Sequence, residues 1–172
     1  MQKERIGFFG GCFNPPSNIH INLVNNLITE QKLDKVILVP VNDFYLKKDL
    51  IEFKHRYTML KFAIHNFKNI YIDDLEKKLT KKTYAVDIFK IISEKYKDND
   101  IYFIMGSDNF SKMKDWKNYE ELKKYQYIVL ERNKEDISST EIRNMIKNNE
   151  LNENVLDKKV YDYIKKNNLY KS

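Results

Sequence analysis

One cysteine, Cys12, is the only thiol in 172 residues, which excludes an internal disulfide framework and any metal centre built from several thiolates. Four glycines and three prolines are too few for a Gly- or Pro-rich linker. No internal repeat or low-complexity tract breaks the chain, so residues 1–172 are expected to form one domain. No apolar run approaches the roughly 20 residues that a membrane helix requires. Met1–Arg5 lead into a strand pattern without signal-peptide composition, and a cytoplasmic protein with no membrane attachment is expected. Long basic blocks are also missing. The 31 basic and 25 acidic residues leave a net charge of +6, but the lysines are interleaved with Asp, Glu and Asn, a solvated surface and not a nucleic-acid stripe. Arginine is confined to Arg5, Arg56, Arg132 and Arg143. Its planar fork suits phosphate, so each is a candidate ligand.

What is present is a regular alternation. Short apolar runs rich in β-branched and aromatic residues occur at Ile6–Phe9, Val36–Pro40, Ile70–Ile72, Ile101–Met105 and Tyr127–Leu130. Helical spacing separates them: Leu23, Val24, Leu27 and Ile28 within Ile21–Ile28; Tyr57, Leu60 and Ile64 within Phe53–Phe67; and Val86, Phe89 and Ile92. A further helix is expected over Leu156–Tyr170, with Val160 and Ile164 inward. Strands that are almost wholly apolar are buried on both faces. The pattern therefore predicts an α/β fold, a single Rossmann-like, doubly wound, parallel five-stranded sheet with flanking helices and a C-terminal helical segment. Ligands of such sheets bind beyond the carboxyl ends of the strands, so the loops after Phe9, Pro40, Met105 and Leu130 are expected to rim one pocket.

Two of these places carry chemistry. Gly10-Gly11-Cys12-Phe13-Asn14-Pro15-Pro16 precedes a helix, where paired glycines admit a ligand to the backbone and the helix N-terminus offers unpaired N–H groups to an anion. There is no Gly-Lys-Ser/Thr and no third spaced glycine, which excludes the Walker loop and the dinucleotide fingerprint. A plain chain reversal is the structural alternative. His20, near the start of that helix, is either a phosphate donor or a partly buried histidine bonded to backbone. Cys12 is either a small filler or a thiol acidified by the helix N-terminus. Near the other end, Ile137-Ser138-Ser139-Thr140-Glu141-Ile142-Arg143 contains a capping box, Ser138 with Glu141, that opens a helix just beyond the fifth strand.

The pair Gly10–His20 and Ile137–Arg143 resembles the two signatures of the nucleotidylyltransferase superfamily and, within it, the bacterial nicotinate-nucleotide adenylyltransferases. Arg56 with Met59-Leu60, Thr83-Tyr84, Gly106-Ser107-Asp108, Trp116 and the ending Val160–Tyr170 follow in that family's order, so the similarity covers most of the chain. The resemblance implies adenylyl transfer from ATP to nicotinate mononucleotide, giving deamido-NAD and pyrophosphate, with Mg²⁺ and no covalent enzyme intermediate. It implies His20 and Arg143 as catalytic residues. For ATP it implies Gly10, Gly11, Cys12, Phe13, Ser17, His20, Gly106, Asp108, Ile137, Ser138, Ser139 and Arg143. For the pyridine mononucleotide it implies Lys47 or Lys48, Thr83, Tyr84, Trp116 as stacking partner, and Arg132; no residue is assigned as a metal ligand.

The sequence departs from the family pattern at several positions. Ser17 replaces the first histidine or threonine of the motif, Ile19 its glycine, Ala85 a hydroxyl residue and Cys12 a frequent threonine. Only 133–138 separate Arg132 from Ser139, where relatives insert a longer excursion. A shorter wall fits a wider pyridine specificity, a neighbouring subunit completing the site in a homo-oligomer, or a different acceptor. The alternatives to the leading expectation are thus an adenylyltransferase for another phosphate or mononucleotide, and a catalytically silent nucleotide-binding module.

Overall fold

The computed structural model describes residues 3–45, 47–152 and 154–171. Five strands, β1 (Arg5–Gly11), β2 (Lys35–Pro40), β3 (Ile70–Ile72), β4 (Asp100–Gly106) and β5 (Tyr127–Leu130), form one sheet of order β3-β2-β1-β4-β5. All four pairings are parallel. The chain runs outward from β1 to β2 and β3, then crosses back to β4 and β5, so the strand order reverses between β1 and β4. The carboxyl ends of those two neighbours open a crevice at the switch point.

Alternation along the strands sends side chains to two layers. Val36 and Leu38 join Ile104 and the helices α1 (Asn18–Thr29), α2 (Phe53–Ala63), α6 (Ser139–Lys147) and α7 (Lys158–Lys166) in one core. Ile37 and Val39, with Ile6, Phe8 and Phe103, face α3 (Ala85–Lys95) in the other. Between β4 and β5 lie two short helices, α4 (Ser107–Lys112) and α5 (Tyr119–Leu122), whose Met113–Leu122 region packs with Val86 and Met105. Close packing requires a glycine in β1: a Cβ on Gly7 would lie 2.5 Å from Leu33 Cδ1 and 2.6 Å from Ile104 Cδ1. Among the described residues no helix is long and apolar enough to cross a membrane.

The five apolar runs all became strands. The helices differ in detail from their apolar patterns. α2 ends at Ala63, so Ile64 is its cap and not part of its inner stripe, which is Phe53, Arg56, Met59, Leu60 and Ala63. In α1 the buried residues are Ile21, Val24 and Leu27, while Leu23 turns toward the crevice. The last helix is shorter than expected, although Val160 and Ile164 are its buried residues.

Candidate active site

The loops after β1, β2, β4 and β5 meet in one cleft of about 660 Å³ at the switch point, as their positions predict. Gly10–Asn14, Val41, Gly106–Asn109 and Glu131-Arg132 line it, together with the first turns of α1 and α6.

The loop after β1 is held from behind. Phe13 adopts φ 49°, a left-handed conformation that a phenylalanine rarely takes, and its ring is buried against Phe9 and His20. The preceding carbonyl is held by Arg56, which has no exposed surface. Its Nη1 donates to the carbonyls of Cys12 (3.1 Å) and Val41 (2.8 Å), its Nε to Ile51 O (2.8 Å), and its Nη2 pairs with Asp43 (3.0 Å). One guanidinium thus ties the loop after β1 to the loop after β2. Arg56 is therefore an anchor buried behind the loops, and Arg5 is an exposed partner of Asp34 remote from the cleft. Only Arg132 and Arg143 remain as cleft arginines.

His20 sits in the first turn of α1, with Nδ1 3.2 Å from the Ser17 hydroxyl. Burial lowers its pKa, and repulsion from Arg132 adds to this against a smaller opposing pull of Asp136, so the ring is held neutral near pH 7. Ser17 is not at the cleft wall. It is buried, and its hydroxyl reaches the His20 imidazole. Cys12 lines the cleft, but burial pushes its thiol up despite nearby Lys47, Arg56 and Arg143; it is not the acidified thiol that a helix N-terminus could produce.

Across the cleft the capping box forms as its spacing predicts: Glu141 N donates to Ser138 Oγ (3.2 Å), and Ser138 Oγ to Glu141 Oε1 (2.9 Å). Ser138 is thereby occupied within the helix, leaving the N–H groups of Ser139 and Thr140 at the positive end of α6 toward the cleft. Arg143 lies one turn further on. Its Nη1 donates to Asn14 O (2.9 Å) and its Nη2 to Thr140 Oγ1 (3.1 Å), which physically joins the two motifs. Ile137 lines the same wall and packs on the core.

Gly106 caps α4, and a Cβ there would meet nothing within 4 Å, so its backbone opens directly onto the cleft beside Asp108. The Asp108 carboxylate is exposed. Thr83, Tyr84 and Trp116 line a further wall. The Trp116 indole is half-buried against the Val86, Met105, Met113 and Leu122 cluster, and Lys117 Nζ lies 4.4 Å from the centre of the Tyr84 ring. Lys47 and Arg132 are exposed cations at the rim, whereas Lys48 does not line the cleft. The short 133–138 connection is one tight turn, with Asp136 N donating to Asn133 O (3.0 Å) and Asn133 N to Asp136 Oδ2 (3.2 Å).

Glu76 escaped the sequence reading because it carries no motif signal and its burial is a tertiary property. It lines the cleft from a 3-10 turn, Leu75–Lys78, and accepts from Asn42 N–H (3.3 Å). Burial pushes its carboxyl from 4.5 up to about 7, against the opposing hydrogen bond and Arg56. Between these two values the folded protein holds a proton that the unfolded chain has released, so this group's contribution to stability falls as pH rises through the window. Glu76→Gln is expected to raise the unfolding free energy at pH 8 by about 2 kcal/mol and to change it little at pH 4, read by urea unfolding at both values. An equal effect at the two pH values would contradict the assigned titration.

The sequence matches the Cytidylyltransferase-like family over residues 8–145. Among curated relatives, a Lactococcus lactis protein named "probable nicotinate-nucleotide adenylyltransferase" is 31% identical, over 98% of this chain and 96% of its own. One of the same name from Fusobacterium nucleatum is 30% identical, over 94% and 97%. Among solved structures, a candidate nicotinate-nucleotide adenylyltransferase from Vibrio parahaemolyticus superposes with a TM-score of 0.81 at 24% identity, over 98% of this chain and 96% of that one. A Plasmodium falciparum nicotinic acid mononucleotide adenylyltransferase complexed with NaAD gives 0.77 at 23%, over 97% of each. At these identities the structural likeness concerns the fold.

Proposed function

Since this chain belongs to the cytidylyltransferase-like family and, within it, to the nicotinate-nucleotide adenylyltransferases, we propose that the cleft transfers the adenylyl group of ATP to nicotinate mononucleotide, releasing deamido-NAD and pyrophosphate. The carrying observation is that the N-termini of α1 and α6, His20 and Arg143 face one cleft at the switch point.

The acceptor's phosphate oxygen attacks the α-phosphorus, the bond to the β-phosphate oxygen breaks, and pyrophosphate leaves with its electron pair. Because no side chain has to form a covalent bond, the residues act by positioning and by stabilising charge. In the tautomer that carries its proton on Nε2, the neutral His20 ring accepts from the Ser17 hydroxyl at Nδ1 and donates to the α-phosphate region. The backbone of Gly10–Phe13 follows the phosphates, and Ser139, Thr140 and Arg143 hold the departing pyrophosphate at the positive end of α6. Gly106 and Asp108 lie against the adenosine. Thr83, Tyr84 and Trp116 form the pyridine wall, with Lys47 and Arg132 toward the acceptor phosphate.

Among the described residues no group of three His, Cys, Asp or Glu side chains comes together as a metal site. Mg²⁺ would then enter with the triphosphate and supply neutralisation of its charge, and Asp108, beside Gly106 on the cleft wall, is the carboxylate we assign to hold it.

The test is pyrophosphate release with Mg²⁺ and ATP in parallel reactions containing nicotinate mononucleotide, nicotinamide mononucleotide, phosphopantetheine or no acceptor. Release that depends on nicotinate mononucleotide is expected; release with another acceptor only would refute the assignment. Trp116→Ala is expected to raise the KM for the mononucleotide about tenfold, the scale of one lost stacking contact, with the KM for ATP within twofold. Equal rises in both would remove Trp116 from the ring site.

A further inference from the structure

Beyond α7 the chain does not trail away from the domain. Asn168 and Tyr170 both take left-handed conformations, φ 53° and 63°, and turn the segment back under the loop that follows β1. For a bulky aromatic residue this conformation is strained, and it persists only where surrounding contacts impose it. Leu169 is buried in the core shared by α6 and α7, and Lys171 Nζ donates to Ile146 O at the far end of α6 (3.3 Å). The Tyr170 hydroxyl then donates to Asn14 Oδ1 (2.7 Å), 156 positions away.

Asn14 is buried, and both its side-chain amide and its backbone carbonyl are engaged. Its Nδ2 donates to Asp49 O (2.8 Å) in the loop after β2, while its backbone carbonyl accepts from Arg143 Nη1 (2.9 Å). Its neighbour is Phe13, the strained residue of the phosphate loop. Three elements of the cleft therefore converge on one asparagine whose amide is oriented by a tyrosine from outside the cleft. Burial raises the phenol pKa far above its usual range, so the hydroxyl remains a neutral donor.

We propose that Tyr170 is a positioning residue for the nucleotide: its hydroxyl fixes Asn14, and through the Asn14 carbonyl it fixes the Arg143 guanidinium against the ATP phosphates. This rests on the reading of the cleft as an ATP site and adds a residue that makes no contact with substrate. Tyr170→Phe keeps the ring and removes only the oxygen, so the fold is retained.

The experiment is calorimetric titration of α,β-methylene-ATP with Mg²⁺ into wild type, Tyr170→Phe, Arg143→Ala and the double variant. Melting curves serve as the control for folding. Tyr170→Phe is expected to weaken binding about five- to tenfold, the scale of one hydrogen bond. In the Arg143→Ala background the same change is expected to weaken binding no further, because the group it positions is gone. Unchanged affinity in Tyr170→Phe, or an undiminished effect in the double variant, would overturn the inference. A wild type that binds the nucleotide yet releases no pyrophosphate with nicotinate mononucleotide would refute the proposed reaction while leaving this inference standing. A wild type that binds no nucleotide would refute both.

Discussion

Replacing His20 by alanine is expected to lower kcat by about two to three orders of magnitude, the scale of one lost charge-stabilising donor, without unfolding the protein. The imidazole stands in the first turn of α1 and lines the same cleft as the glycine loop and Arg143, where the proposed transfer would develop charge. Its environment suits a neutral donor: burial and Arg132 both disfavour the imidazolium, and the Ser17 hydroxyl orients Nδ1 from behind. A neutral ring that donates without titrating gives a fixed dipole and needs no proton transfer. The measurement is kcat at saturating ATP and nicotinate mononucleotide, with far-ultraviolet circular dichroism for the fold. Activity within a few fold of wild type would remove His20 from the reaction. Ser17→Ala is informative beside it, because it leaves the ring in place and removes only its orientation.

Arg56→Ala is expected to reduce the unfolding free energy by about 3 to 5 kcal/mol, read as a lower urea midpoint. The loss has identifiable parts. Three partly buried backbone carbonyls, of Cys12, Val41 and Ile51, lose a charged donor, and a fully buried side chain leaves a cavity. The ion pair contributes less than it suggests, since Asp43 is half exposed. Arg56→Lys should recover only part of the stability, because a single ammonium cannot span the positions that the planar fork serves. A midpoint near that of wild type in Arg56→Ala would mean that the loops carry their own conformations.

The sheet was legible for a physical reason. A strand buried on both faces must be apolar throughout, so the runs that became β1, β2 and β4 stood out, and the edge runs Ile70–Ile72 and Tyr127–Leu130, with Tyr71 and Val129 exposed, were marked by their β-branched and aromatic residues; all five landed in strands. The capping box at Ser138 and Glu141 was equally local, since it joins residues three apart. Periodicity served less well where elements are short: α4 has six residues and α5 four, fewer than two turns, so neither shows a stripe. It also misread α2, whose inward face includes an arginine that no apolar count can place there.

The sequence by itself determined the kind of fold, the loops that would meet, and the residue types brought to them, because hydrophobic alternation, glycine turns and helix caps act over a few residues. The tertiary structure alone decided how those residues are used. It buried Ser17 against the His20 imidazole, raised the Cys12 thiol, buried the Glu76 carboxyl, and made Arg56 an anchor. It also brought Tyr170 to Asn14 across 156 positions of chain. Desolvation, charge pairing and hydrogen bonding between distant segments set these roles, and they exist only once the chain has closed on itself.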